Sequence, residues 1–286
     1  MAALIGSSKA TCHVRSISLP ARSHPLTLSV EGHLDRLRLS QETAASPCNR
    51  LSGLKDLYDS VEDLLQLPLT QKDLTNEQHR KSVDEVLDGS LKLVDLCSTT
   101  RDIFSQMKEC LKELESSLRR RKGGESGLPS EFQTYIASRK KLNRAVGKCF
   151  RNLKTEKKNH KDSNSVAVLA LLRKVEEISV AVFESVLCMI SEPKTRLGAT
   201  GWSVVSKLLQ SKRVSSEETD TKEVKKMDEE LLGLKSSKNV NSVQLQNVMN
   251  GLKSLESTVQ EVEEELECVY RQLLKARVAI LNMVNH

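Results

Sequence analysis

Apolar residues recur along most of this chain at three- and four-residue intervals, and the longest run lies near the C-terminus. Twelve positions there keep an unbroken 3-4-3-4 spacing: Leu245, Val248, Leu252, Leu255, Val259, Val262, Leu266, Val269, Leu273, Ala276, Ile280 and Met283. The average of 3.5 residues is the period that holds one seam of an α-helix against a partner over many turns. It predicts one long helix from about Val240. Upstream, Leu51, Leu54, Leu57, Tyr58, Val61, Leu64 and Leu65 start a helix that Pro68 is expected to stop, since proline disfavours the α conformation in the residue before it. Thr70 followed by Asp73 reads as the N-cap of the next helix. From about Ser82 to Arg119 a single face carries Val83, Leu87, Leu91, Val94, Cys97, Phe104, Met107, Leu111, Leu114 and Leu118.

Gly123, Gly124, Gly127 and Pro129 mark a loop. A helix is predicted from about Ser130 to Lys157, with Phe132, Ile136, Val146, Phe150 and Leu153 on its apolar face. Another spans about Ser165 to Ser191 and is apolar nearly all round, which places it centrally in a bundle. Trp202, Val204, Val205, Leu208 and Leu209 form a shorter segment. Residues 211–238 are charged and rich in Ser and Thr, and read as an exposed linker or frayed helix. Residues 1–48 read as a disordered, basic, Ser-rich tail with a short amphipathic stretch at Val30 to Leu39, and residues 49–286 as one helical domain.

The seam could join two copies of the chain or close a bundle within one. Coiled-coil dimers choose partners through complementary charge beside the seam. Here the flanks are Met249, Glu256, Glu263, Tyr270 and Arg277 on one side, and Gly251, Thr258, Glu265, Gln272 and Ala279 on the other. They encode no self-pairing, and Leu274, Val278 and Leu281 widen the apolar surface beyond a two-stranded seam. Packing within the chain, hence a monomer, is favoured over a homodimer.

Composition narrows the fold to one class. Twelve Gly and six Pro in 286 residues are too few for an all-β protein, and aromatics at 3% suit a Leu/Val-built elongated bundle with long helices. The expected class is all-α. Seven scattered cysteines, with no CxxC pair, fit a reducing compartment and no zinc site. No apolar run approaches the roughly 18 residues of a membrane span. Residues 1–30 contain no Asp or Glu, so a plastid transit peptide stands as an alternative to a cytoplasmic tail.

Charge is placed unevenly. Residues 119–161 carry 14 Lys and Arg against three acids, although the whole chain is only +6. The candidate basic surface is Arg119, Arg120, Arg121, Lys122, Arg139, Lys140, Lys141, Arg144, Lys148 and Arg151. With its apolar stripe this is a basic amphipathic helix, fit for an anionic membrane or an acidic protein. The competing reading neutralises it internally against Glu256, Glu261, Glu263, Glu264, Glu265 and Glu267. Nucleic acid is disfavoured, because stacking aromatics are nearly absent.

One short motif stands out. In Arg15-Ser16-Ile17-Ser18-Leu19-Pro20, Arg15 suits a basophilic kinase acting on Ser18, and Pro20 completes a likeness to the phosphopeptides read by 14-3-3 proteins. For catalysis there is no comparable string: the six His are isolated, and HExxH, GxSxG, Walker and GxGxxG motifs are absent. No cofactor or metal is expected.

The strings HVRSISLPARSHPL, GLKDLYDSVEDLLQLPLTQ, VDEVLDGSLKLVDLCSTTRDIFSQMKECLKELESSLRRRK and YIASRKKLNRAVGKCFRNLK resemble a plant-specific family that includes the BYPASS-type proteins. The likeness runs over roughly residues 13 to 286. It implies a flowering-plant protein with an all-helical fold and no established enzymatic activity, and, by way of better-known relatives, a role in root and shoot development. The resulting expectation is a non-catalytic regulatory or adaptor protein acting through helical surfaces and a phosphorylatable tail, with peripheral binding to anionic membrane as the alternative.

Overall fold

The computed structural model describes residues 24–43, 45–120, 128–155, 166–191, 219–236 and 242–285. These form α-helices α1 (Pro25–Glu42), α2 (Pro47–Leu65), α3 (Pro68–Leu74), α4 (Arg80–Arg120), α5 (Leu128–Thr155), α6 (Ala167–Cys188), α7 (Thr219–Ser236) and α8 (Ser242–Asn285), with one 3₁₀ turn at Glu77–His79. Among the described residues there is no strand. The all-α expectation holds.

Two long helices set the shape. At 1.5 Å per residue, α4 and α8 are each about 60 Å long. They run antiparallel, as the pairs Lys112–Glu256, Lys108–Glu263, Arg101–Glu267 and Ser90–Arg277 show. The heptad seam lies on this contact: Val248, Leu252, Leu255, Val259, Val262, Leu266, Val269, Leu273, Ala276 and Ile280 are all buried within one chain. α2 covers the C-terminal half of α8 in parallel, tied by Asp59–Gln272 and Glu62–Lys275. α7 covers the N-terminal half, where Gly251 leaves room for the Met227 methyl.

The remaining helices dress the α4/α8 pair. α6 packs on α1, α2 and α4, as expected of a helix apolar on several faces. It runs parallel to α4, with Arg173 on Glu85 and the Glu176 carboxylate against Gly89, where a Cβ would collide with it. Gly89 thus leaves room for the Glu176 carboxylate, at a helix cost of about 1 kcal/mol relative to Ala. Against α2, the buried Ser179 hydroxyl donates to the Val175 carbonyl and accepts from Tyr58 at 3.1 Å. α5 packs antiparallel on the C-terminal half of α4.

Three expectations need correction. Residues 25–42, assigned to a disordered tail, form α1 and bury Val30, Leu34 and Leu37 against α2 and α6, so α1 belongs to the packed body. Within the expected linker at 211–238, residues 219–236 form α7 and bury Val224, Met227 and Leu231. Pro68 follows the end of α2 but also opens α3 from its first turn, and Thr70 is a buried residue inside α3 rather than its cap. Proline is favoured there because the first helical N–H has no partner to lose. Pro25 and Pro47 begin α1 and α2 in the same way.

Candidate functional site

The sequence from Phe132 to Thr155 contains seven Lys or Arg and no Asp or Glu. The apolar positions of α5 turn inward, burying Phe132, Tyr135, Leu142, Val146 and Cys149, with Ile136 and Phe150 half-buried on the core. Its opposite side carries Lys140, Lys141, Arg144, Lys148 and Arg151, all exposed. At 3.6 residues per turn these five fall within an arc of about 100°, in a row about 17 Å long. No ion pair or hydrogen bond among the described residues engages them.

Arg139 leaves this row. Its side chain is 5% exposed and turns toward α7, where Nη2 donates to Asp228 Oδ2 at 3.1 Å and Nε to the same oxygen at 3.2 Å. Tyr135 donates its hydroxyl to Asp228 Oδ1 at 2.7 Å, and Arg139 Nη1 also lies against the Met107 sulfur. Burial and the Asp228 charge hold the Tyr135 phenol well above its ordinary value. Arg139 is therefore an internal clamp between α5 and α7, which corrects its place in the expected contact surface. Sequence could not flag this, because the residue sits in a basic run and its acid comes from a helix far downstream.

The acids of α8 pair elsewhere than the internal-neutralisation reading requires. Glu256, Glu263 and Glu267 meet Lys112, Lys108 and Arg101 of α4, and the Arg101 guanidinium also sits 4.9 Å from the centre of the Tyr270 ring. Glu264 and Glu261 accept from Gln260 and Ser257 of their own helix. Five of the six acids that could have matched α5 are thus arranged along α4 or along α8 itself. At the end of α4, Arg119 is paired with Glu115 at 2.6 Å and Arg120 with Ser117 at 3.2 Å. Arg121 and Lys122 lie outside the described residues, as do Arg15, Ser18 and Pro20, residues 1–23 of the tail, and the Trp202 segment.

Between α4 and α5 runs an open cleft of about 890 Å³, bordered by Lys108, Glu109, Lys112, Glu113, Tyr135 and Ser138 among others. Its charges alternate in sign, and its one thiol, Cys110, is pushed up to about 11 by burial, which disfavours the thiolate at neutral pH. Cys97 is more deeply placed, donates to the Leu266 carbonyl and is pushed up to about 12 by burial. Among the described residues no group of His, Cys, Asp and Glu could hold a metal ion, and no helix is long and apolar enough to cross a membrane. The feature with unspent chemistry is the cation row on α5.

No curated protein and no solved structure matches this chain. The family model described as Protein BPS1 matches residues 50–283, and the chain belongs to that family.

Proposed function

We propose that this chain is a non-catalytic regulatory or adaptor protein of plant organ development, acting in the cytoplasm by presenting helical surfaces to partners. Membership of the Protein BPS1 family supports the regulatory and developmental part. The observation that carries the contact part is the α5 row, five exposed cations that the chain's own described acids leave unpaired. A folded body with a closed apolar core gains nothing in stability from a row of like charges, which repel one another by a few tenths of a kcal/mol per i,i+4 pair. A contact surface for something acidic gives the row a use. Ser18, set between Arg15 and Pro20, would add a switch: its phosphate would create a ligand for a 14-3-3 protein and couple partner binding to a kinase.

Proximity labelling in plant tissue tests both elements. The Lys140→Glu, Lys141→Glu, Arg144→Glu variant is expected to lose the labelled neighbours that depend on the row. Ser18→Ala is expected to lose a phosphate-dependent subset. An unchanged set of neighbours for the first variant refutes the row as a contact surface, and for the second refutes the tail as a switch.

A further inference from the structure

We propose that the α5 row is a docking strip for an anionic phospholipid surface, engaged through charge alone. The proposal rests on the preceding reading only in taking the row as a contact surface, and it names what the row contacts.

The apolar residues of α5 decide the mode. Phe132, Tyr135, Leu142 and Val146 are buried in the body, so the described residues of this helix leave no free apolar face to insert into a bilayer. The five cations stand on the far side, and no Leu, Ile, Val, Met or aromatic residue of α5 is exposed among them. A protein partner held at this strip would need a buried apolar or aromatic anchor at its centre, because such anchors carry most of the energy of protein interfaces. The strip offers none. Exposed ion pairs alone contribute too little for a specific protein complex, typically under about 1 kcal/mol each. An anionic membrane has no such requirement. It is a continuous sheet of charge that every cation of the strip meets at once, without matched geometry.

Spacing strengthens the case. From Lys141 to Arg151 the members are three or four residues apart, about 5 to 6 Å between Cβ atoms. That is less than the Debye length of about 8 Å at physiological ionic strength, so their potentials overlap and act as one field. Among the described residues, Glu109 and Glu113 border the α4/α5 cleft, on the flank with Thr134, Tyr135 and Ser138. Asp228 is occupied by Arg139 and Tyr135. Residues 128–155 also form a single helix held by a packed face, so the strip is rigid before contact and loses no backbone entropy on docking.

Each cation near such a surface raises the partition coefficient about fivefold. The test is flotation of the full chain with phosphatidylcholine vesicles containing phosphatidylserine, against pure phosphatidylcholine. Wild type is expected to float only with the anionic vesicles and to be released as salt rises and the Debye length shortens toward about 3 Å at 1 M. The variant Lys140→Gln, Lys141→Gln, Arg144→Gln is expected to bind about 100-fold more weakly. The control Lys72→Gln, Lys81→Gln, Lys253→Gln removes the same charge from exposed sites elsewhere and is expected to lose markedly less. Circular dichroism shows whether each variant keeps its helical content. Absence of wild-type flotation at low salt overturns the proposal, as does equal loss in the two variants. Loss of protein neighbours in the row variant, without flotation of the wild type, overturns the lipid assignment while leaving the contact-surface reading intact.

Discussion

Two rows of cations run along this body and meet opposite fates. On α4, Arg101, Lys108 and Lys112 face the α8 acids Glu267, Glu263 and Glu256, and each pair is partly withdrawn from water. On α5, Lys140, Lys141, Arg144, Lys148 and Arg151 face outward with no acid opposite them among the described residues. The denser run in the sequence is the one left open. Whether a basic run is structural or available is decided by which helix the fold lays beside it. Here α8, the source of acids, lies along α4, because that is where its apolar seam finds a matching face. Hydrophobic register chose the partner, and the charges followed.

The largest predicted effects concern the contacts that create this difference. Leu266 is fully buried in the α4/α8 seam, and Leu266→Ala is expected to cost about 3 kcal/mol in denaturant unfolding through lost packing and a residual cavity. If the seam closes within one chain, that loss will be independent of protein concentration, and light scattering will give a monomer. A concentration-dependent midpoint would reassign the seam to a dimer. Next comes the clamp. Asp228→Ala leaves the Arg139 guanidinium buried without its acid and is expected to cost about 2 to 4 kcal/mol. Amide exchange should speed up first in α7. The double variant Arg139→Met, Asp228→Leu should recover most of the loss, since apolar side chains can replace such a pair.

The two rows can then be set against each other. Glu263→Gln should cost about 1 kcal/mol, because Lys108 is four-fifths buried beside it. Neutralising Lys140, Lys141 and Arg144 together should change stability by less than about 0.5 kcal/mol in either direction. A cost on the α5 row equal to that on the α4 row would mean that it has a partner inside the chain, and the comparison would collapse.

The smallest effect near neutrality is one of pH. Burial raises Cys97 to about 12 and Cys110 to about 11, so the folded chain keeps protons that the unfolded chain releases from about pH 9 upward. The folded state then binds more protons than the unfolded one, and stability falls as pH rises. It is fully present below about pH 9 and declines by up to about 1.4 kcal/mol per pH unit for each such thiol. Tyr58 and Tyr135, raised by the same burial, add to the decline from about pH 10. Melting temperature against pH checks this, and Cys97→Ala should flatten the slope. A flat profile between pH 8 and 10 would show that these thiols are hydrated in solution.

The features legible in sequence were those repeated over many turns. α4 and α8 announced themselves because a face kept over 41 and 44 residues cannot arise from a few accidental matches. α1 and α7 did not, since among the described residues each buries three core hydrophobics, Val30, Leu34 and Leu37 or Val224, Met227 and Leu231, in a Ser-rich or charged context. Pro68 misled because the same residue that ends one helix is well suited to begin another. The availability of the α5 row was half legible: its cations could be counted, but Arg139 could not be separated from its neighbours without knowing where Asp228 lies. Burial of a charge is a tertiary fact, and Asp228 is 89 residues away.

The antiparallel pairing of α4 and α8 also sets a timetable. Its contacts join residues 144 to 190 positions apart, so the face of α4 that α8 will cover leaves the ribosome long before its cover exists. At about 5 to 20 residues per second, that interval is on the order of ten seconds or more. For that time a helix-length apolar stripe is open to the crowded interior of the cell. The nascent chain is therefore expected to depend on chaperone occupancy during synthesis, and slowing translation downstream of α4 should lower the yield of folded protein.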